Sequence, residues 1–213
     1  MRVRIKVCGI TTKEDAWKAA DLGVDAIGFN FYPESPRYIP PEEVKKILLS
    51  LPPFLSGVGV FVNEHPQVVE DIARYCHLEC VQFHGDESTE YISLLNLPVI
   101  KAFRVGKDFS PASLLPYKEK VKAFLLDTYK EGMPGGTGET FNWSIAVKIK
   151  KEVCEPIILA GGLNPDNIKE AILQVKPYAV DIASGVEEKP GKKDPHLLKK
   201  LVERVREAEN EIS

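Results

Sequence analysis

No apolar run in this chain approaches the ~20 residues a membrane span needs, and the opening MRVRIKVCG is too short for a secretory signal. Cysteine is scarce. Cys8, Cys76, Cys80 and Cys154 lack zinc-ribbon spacing and are too few for the disulfide framework of a small secreted domain. Free thiols in a reducing cytoplasm are therefore expected. Cys76 and Cys80, in CHLEC with His77 between them, have no second ligand pair, so they are expected to pack a helix end and a strand start, with no metal. A large excess of one charge is missing as well. The net charge of −3 gives no electrostatic reason for nucleic acid or an acidic membrane as partner. Histidine is confined to His65, His77, His84 and His196, and glutamine to three positions. So few glutamines, with charged stretches such as KKLVERVREAENE, lean towards a heat-adapted source.

What is present is alternation. At 213 residues, 44% hydrophobic and 28% charged, the chain suits one globular domain over residues 1–213. Strand-length apolar runs are read at Arg4–Cys8, Asp25–Phe29, Gly57–Val62, Cys80–Phe83, Val99–Phe103, Ala123–Asp127, Ile157–Ala160 and Ala179–Ala183. Helical periods lie between them at Lys13–Leu22, Pro41–Leu49, Pro66–Cys76, Ser88–Leu95, Pro111–Tyr117, Asn142–Glu152, Pro165–Gln174 and Pro195–Ala208. Asn164–Pro165 and Asp194–Pro195 each offer an N-cap followed by proline at the first helical position. Eight strand–helix units fit an α/β fold, a single (β/α)8 TIM barrel. A doubly wound open sheet usually shows a glycine fingerprint after its first strand, and CGITTKED has none.

In such barrels the active site lies at the C-terminal ends of the strands. That directs attention to Cys8, Asn30, Asn63, His84, Arg104 and Asp127, and to the loops LAGGLNPDN and DIASGVEEKPG after strands seven and eight. Gly161, Gly162, Ser184 and Gly185 can bring backbone N–H groups close to an anion, helped by a short helical turn near Ser184, so a phosphate is expected there rather than mere turn formation. Asp127 precedes the glycine-rich YKEGMPGGTGETFNW, which lacks the Gly-Lys-Ser/Thr of a nucleotide-binding loop and reads as a cover that excludes water. The alternative for Asp127 is a cap or loop salt bridge. In the proline-stiffened NFYPESPRYIPPEE, Arg37 is either a clamp for a ligand carboxylate or an ordinary surface arginine.

Taken in order, KVCGIT, GFNFYPESPRYI, GVFVN, VQFHGDE, LLDT, GGTGETFNW, LAGGLNPDN and DIASGVE…PGKKD resemble the phosphoribosylanthranilate isomerase family of the tryptophan pathway. The resemblance runs from Lys6 to Asp194. One departure is Ala183, where the family more often has serine or asparagine. The resemblance implies an Amadori rearrangement of a small phosphorylated substrate, without metal or organic cofactor, by a cytoplasmic monomer or homodimer. It implies Cys8 as general base, Asp127 as general acid and Arg37 as the contact to the anthranilate carboxylate. His84, Gln82 and Asp181 are candidates to line the pocket, with packing behind it as the alternative.

Such chemistry requires a thiol pKa lowered modestly from ~8.5 and a carboxyl pKa raised from ~3.9. Two rivals remain. Another phosphosugar barrel would carry metal-binding histidines or a lysine at its strand ends, and here only His84 among the histidines falls at one. A non-catalytic phosphate binder would need neither Cys8 nor Asp127.

Overall fold

The computed structural model describes residues 1–128 and 142–212. The expected alternation becomes eight parallel strands: β1 (Arg4–Cys8), β2 (Ala26–Asn30), β3 (Ser56–Phe61), β4 (Cys80–Phe83), β5 (Val99–Val105), β6 (Ala123–Thr128), β7 (Ile157–Leu159) and β8 (Ala179–Ile182). Each pairs with the next and β8 pairs back to β1, which closes the barrel. The helices between them are α1 (Lys13–Asp21), α2 (Pro41–Leu48), α3 (Pro66–Cys76), α4 (Thr89–Ser93), α5 (Ser144–Glu152), α6 (Ile168–Val175) and α7 (Pro195–Glu211). None among the described residues is long and apolar enough to cross a membrane.

Strand side chains alternate between two cores. One face looks into the barrel, where small and medium residues such as Val58, Ala102, Leu125, Ile158 and Ala179 meet. The other packs beneath the helices, around Phe29, Phe61, Phe83 and Phe124. Strands buried on both faces read as nearly continuous apolar runs, which is why they were legible. Helix α7 buries Leu198, Leu201, Val202, Val205 and Ala208 at helical spacing. As expected, Asp194 caps it, accepting from His196 N at 2.8 Å and Leu197 N at 3.1 Å. Cys76 closes α3 and Cys80 opens β4, also as expected.

Two local expectations are corrected and one element is new. Helix α6 starts at Ile168, because Asn164 spends its side chain on a preceding turn, accepting from Asp166 N at 2.9 Å. Residues Pro111–Tyr117 form a 3-10 helix with Pro116 inside it, since that ring denies an α-helical bond. After β8 comes a hairpin that was not expected: β9 (Glu187–Lys189) and β10 (Lys192–Lys193) pair antiparallel. The glycine-rich stretch 129–141, expected to cover the site, lies outside the described residues.

Candidate active site

Cys8 ends β1 at the mouth, where it lines a cavity with Asn30, Arg37, Gln82, His84, Asp127, Gly161, Gly162, Asp181 and Ser184. Of the residues singled out from the sequence, Asn63, Arg104 and Gly185 do not line that cavity; the others do. Lys6, two residues before Cys8, shares its inward face. The β1–β8 register sets Lys6 opposite Asp181, and its Nζ lies 2.9 Å from Asp181 Oδ1, both side chains buried. Gly28 on β2 leaves room for this group: a Cβ there would stand 2.7 Å from Cys8 Sγ and 3.1 Å from Lys6 Nζ.

Burial pushes the Cys8 thiol above its ordinary value; Lys6 and Lys193 pull it down, while Asp181 adds to the rise. The lowering expected from the sequence is thus reversed in the free protein, because desolvation outweighs the two ammonium groups. Burial also opposes the Lys6 charge, but Asp181 and Cys8 together hold its pKa above the usual lysine value.

Asp127 faces the cavity from the end of β6. Its Oδ1 accepts from Thr128 N at 2.8 Å. Its Oδ2 lies 3.1 Å from His84 Nε2, off the axis of a well-formed hydrogen bond. The close fit needs Gly161, at φ +83°: a Cβ would fall 2.2 Å from Thr128 Oγ1 and 2.8 Å from Asp127 Oδ1. Gly161 therefore makes room for the carboxyl as well as lining the cavity. The loop carrying His84 is held from below by a buried ion pair, Lys101 Nζ to Glu87 Oε2 at 3.1 Å, while Glu87 Oε1 accepts from Asn63 N at 2.8 Å.

The loops after β7 and β8 meet as expected, and Ser184–Val186 forms the short 3-10 turn. Gly185 does not line the cavity. Its missing side chain lets the two loops touch, since a Cβ would lie 1.9 Å from the Leu163 carbonyl oxygen.

Arg37 reaches the cavity over Gly9, at φ +75°, where a Cβ would be 2.5 Å from Arg37 Cδ. The forked geometry expected for a ligand is used inside the protein. Arg37 Nε donates to Glu187 Oε1 at 2.9 Å and Nη2 to Oε2 at 2.7 Å, leaving the Nη1 side outside this contact. Lys193, fully buried on β10, donates to Glu187 Oε1 at 2.8 Å and to the Cys8 carbonyl at 2.6 Å. Burial alone would raise the Glu187 pKa, but Arg37 and Lys193 more than offset it and hold it below the ordinary value.

Lys6, Glu187, Lys193, Glu87 and Lys101 were missed from the sequence. Alternation back from Cys8 could have found Lys6, and Lys-Pro-Gly in EEKPGKK was a usable hairpin signal for the Glu187–Lys193 strap.

A closed parallel barrel whose strand-end cavity joins a thiol, a carboxyl and an arginine is a barrel enzyme equipped for proton transfer. The family model of N-(5'-phosphoribosyl)anthranilate (PRA) isomerase matches residues 5–204. The chain belongs to that family. The isomerase of Geobacter sulfurreducens is 50% identical over 205 residues, 96% of this chain and 98% of the relative. The crystal structure of the Thermotoga maritima enzyme superposes with a TM-score of 0.90 at 42% identity, covering 96% of this chain and 99% of that one. A structure in complex with reduced 1-(o-carboxyphenylamino)-1-deoxyribulose 5-phosphate gives 0.87 at 42% identity and the same coverage.

Proposed function

We propose that this chain converts N-(5-phosphoribosyl)anthranilate into 1-(2-carboxyphenylamino)-1-deoxyribulose 5-phosphate, an isomerisation in L-tryptophan biosynthesis. The observation that carries the reading is the convergence of Cys8 from β1 and Asp127 from β6 on one cavity. Its rim combines Gly161, Gly162 and Ser184 with Arg37. These two strands stand three places apart around the ring in one direction. Their ends can therefore flank a single sugar.

Asp127 delivers a proton to the ribose ring oxygen as the C1–O bond breaks and the aryl nitrogen lone pair forms an iminium. Cys8, as thiolate, then takes the proton from C2, and its bonding pair becomes the C1=C2 bond of a neutral enolamine. Tautomerisation places a proton on C1 and leaves the C2 ketone. The substrate gains one proton and loses one, so the product is an isomer. The enzyme resets by returning a proton to Asp127 and losing one from Cys8. The β7 and β8 loops support a phosphate-binding role for Gly161, Gly162 and Ser184, with Gly185 joining the loops. Arg37 suits the anthranilate carboxylate, and His84 and Asp181 suit contacts to the sugar or to the two reacting groups.

A turnover assay following loss of anthranilate-type fluorescence tests the reading. Cys8→Ser and Asp127→Asn should fold normally and be crippled in kcat while still binding substrate, because both lost contributions arise in the transition state. Near wild-type turnover in either overturns its assignment. The four free thiols favour a reducing cytoplasm, which cell fractionation checks. Self-association as a homodimer is supported by a similar Thermotoga maritima structure of monomers generated from a dimeric phosphoribosylanthranilate isomerase, and Phe54, 96% exposed between α2 and β3, is an apolar side chain that a second copy would cover. Sedimentation showing a monomer in both wild type and Phe54→Glu would rule it out.

A further inference from the structure

A buried cation beneath a proposed base has a use that ion pairing alone does not explain. Lys6 is only 4% exposed, and burying an ammonium and a carboxylate together at the heart of a barrel brings little net stability. The pair is also placed with care. Lys6 and Cys8 share the inward face of β1, and Gly28 lacks the side chain that would meet both Cys8 Sγ and Lys6 Nζ. Among the charged groups around the sulfur, Lys193 from β10 and Arg37 from the β2–α2 loop are both tied to Glu187. Lys6 is tied to Asp181, which itself borders the cavity.

We propose that Lys6 is a positioning residue for the base. It holds a fixed ammonium against the Cys8 sulfur, with Asp181 as a counter-charge that the developing thiolate displaces in part. This deepens the functional reading above and rests on Cys8 being the base. Deprotonation of Cys8 turns a cation shared with one carboxylate into a cation shared between carboxylate and thiolate, so the anion forms beside a charge that is already in place. Asp181 tempers the effect by competing for the same ammonium. The two residues should therefore move the thiol titration in opposite directions.

The test is a thiol titration of the full-length enzyme by thiolate ultraviolet absorbance and alkylation rate, in a Cys154→Ser background that removes the exposed thiol. Lys6→Met should raise the Cys8 pKa by about one unit or more, lowering the thiolate fraction and kcat at neutral pH about tenfold or more. KM should change little, and activity should partly return at higher pH. Lys6→Arg should restore most of the loss. Asp181→Asn should shift the titration the other way, downwards. A folded Lys6→Met with an unshifted thiol titration overturns the proposal, whatever its melting temperature. If Lys6→Met does not fold, an unchanged or upward shift in Asp181→Asn does the same. Cys8→Ser with near wild-type turnover instead overturns the assignment of the base. A crippled Cys8→Ser with an unshifted Lys6→Met overturns the role of Lys6 alone.

Discussion

Glu187→Gln removes one charge from a buried cluster that connects the Arg37 loop, the β9–β10 hairpin and the end of β1. The Glu187 side chain is 4% exposed and faces Arg37 at 2.7 Å and Lys193 at 2.8 Å. Glutamine keeps one acceptor oxygen and turns an amide donor towards a cation. With the amide nitrogen turned towards it, Lys193, which has no exposed side-chain surface, would retain only the Cys8 and Ala183 carbonyls. Breaking a buried pair from one side costs about 3–5 kcal/mol. The two remaining carbonyls favour the lower end. At roughly 2–4 °C per kcal/mol for a chain of this size, about 3 kcal/mol lowers Tm by roughly 6–12 °C.

The control is Glu188→Gln next door. Its partner Lys192 lies at 3.1 Å with both side chains more than half exposed, so the change should stay within about 1 kcal/mol. The pH dependence has a definite sign. The folded pKa of Glu187 lies below the ordinary 4.5, so its stabilisation is fully present above that value and is lost as pH falls through the folded pKa. The stability gap between wild type and Glu187→Gln, measured by urea unfolding, should be constant near neutrality and close in acid. Steady-state kinetics should show a raised KM, because Arg37 loses its brace. Equal stability and equal KM in Glu187→Gln would refute this account of the strap.

Gly161→Ala combines left-handed strain with a Cβ 2.8 Å from Asp127 Oδ1, and should cost about 2–5 kcal/mol along with most of kcat. Urea unfolding and single-turnover kinetics read the two effects, and an active, stable variant would contradict them. Burial pushes the thiols of Cys76 and Cys80 up to about 11. Mildly alkaline alkylation followed by peptide mapping should therefore label exposed Cys154 before Cys76 and Cys80, with a phosphorylated product analogue protecting cavity-lining Cys8 alone. Labelling of Cys8 should keep rising with pH beyond the point where an ordinary thiol levels off, since its pKa is raised. Inorganic phosphate should compete with substrate, and Gly162→Asp should raise KM severely; Gly162 sits at φ +66°, a conformation aspartate tolerates better than most. Unchanged KM in the folded variant would remove the phosphate from that loop.

The barrel was legible because each strand is buried on both faces and each helix on one, so hydrophobic period alone separated them. Local chemistry misled where two signals competed. Asn164–Pro165 carries a helix-start signature, yet the asparagine builds an Asx turn and the helix waits until Ile168. In PASLLPY the spacing is helical, but Pro116 tightens the segment to 3-10. The β9–β10 hairpin is only three and two residues long, and its charged sequence has no apolar alternation to betray it.

The candidate site divides along a similar line. Cys8, Asp127 and the two glycine loops are readable because topology alone places strand ends at the mouth. Their supports depend on which strands become neighbours through space. Nothing local links Lys6 to Asp181, 175 residues away, or Arg37 to Glu187, 150 residues away. The alternation of a strand does hold one recoverable clue, in the layer two residues below each mouth residue. Beneath Cys8 that layer is Lys6, and beneath Asp127 it is Leu125, fully buried among Ala102, Ala123 and Ile158. The barrel floor is thus charged under the group proposed to accept a proton and apolar under the group proposed to donate one. A barrel built only for stability would favour an apolar residue at both places. A lysine there needs Asp181 to offset its burial, and the sulfur beside the pair is the group placed to use the charge as well.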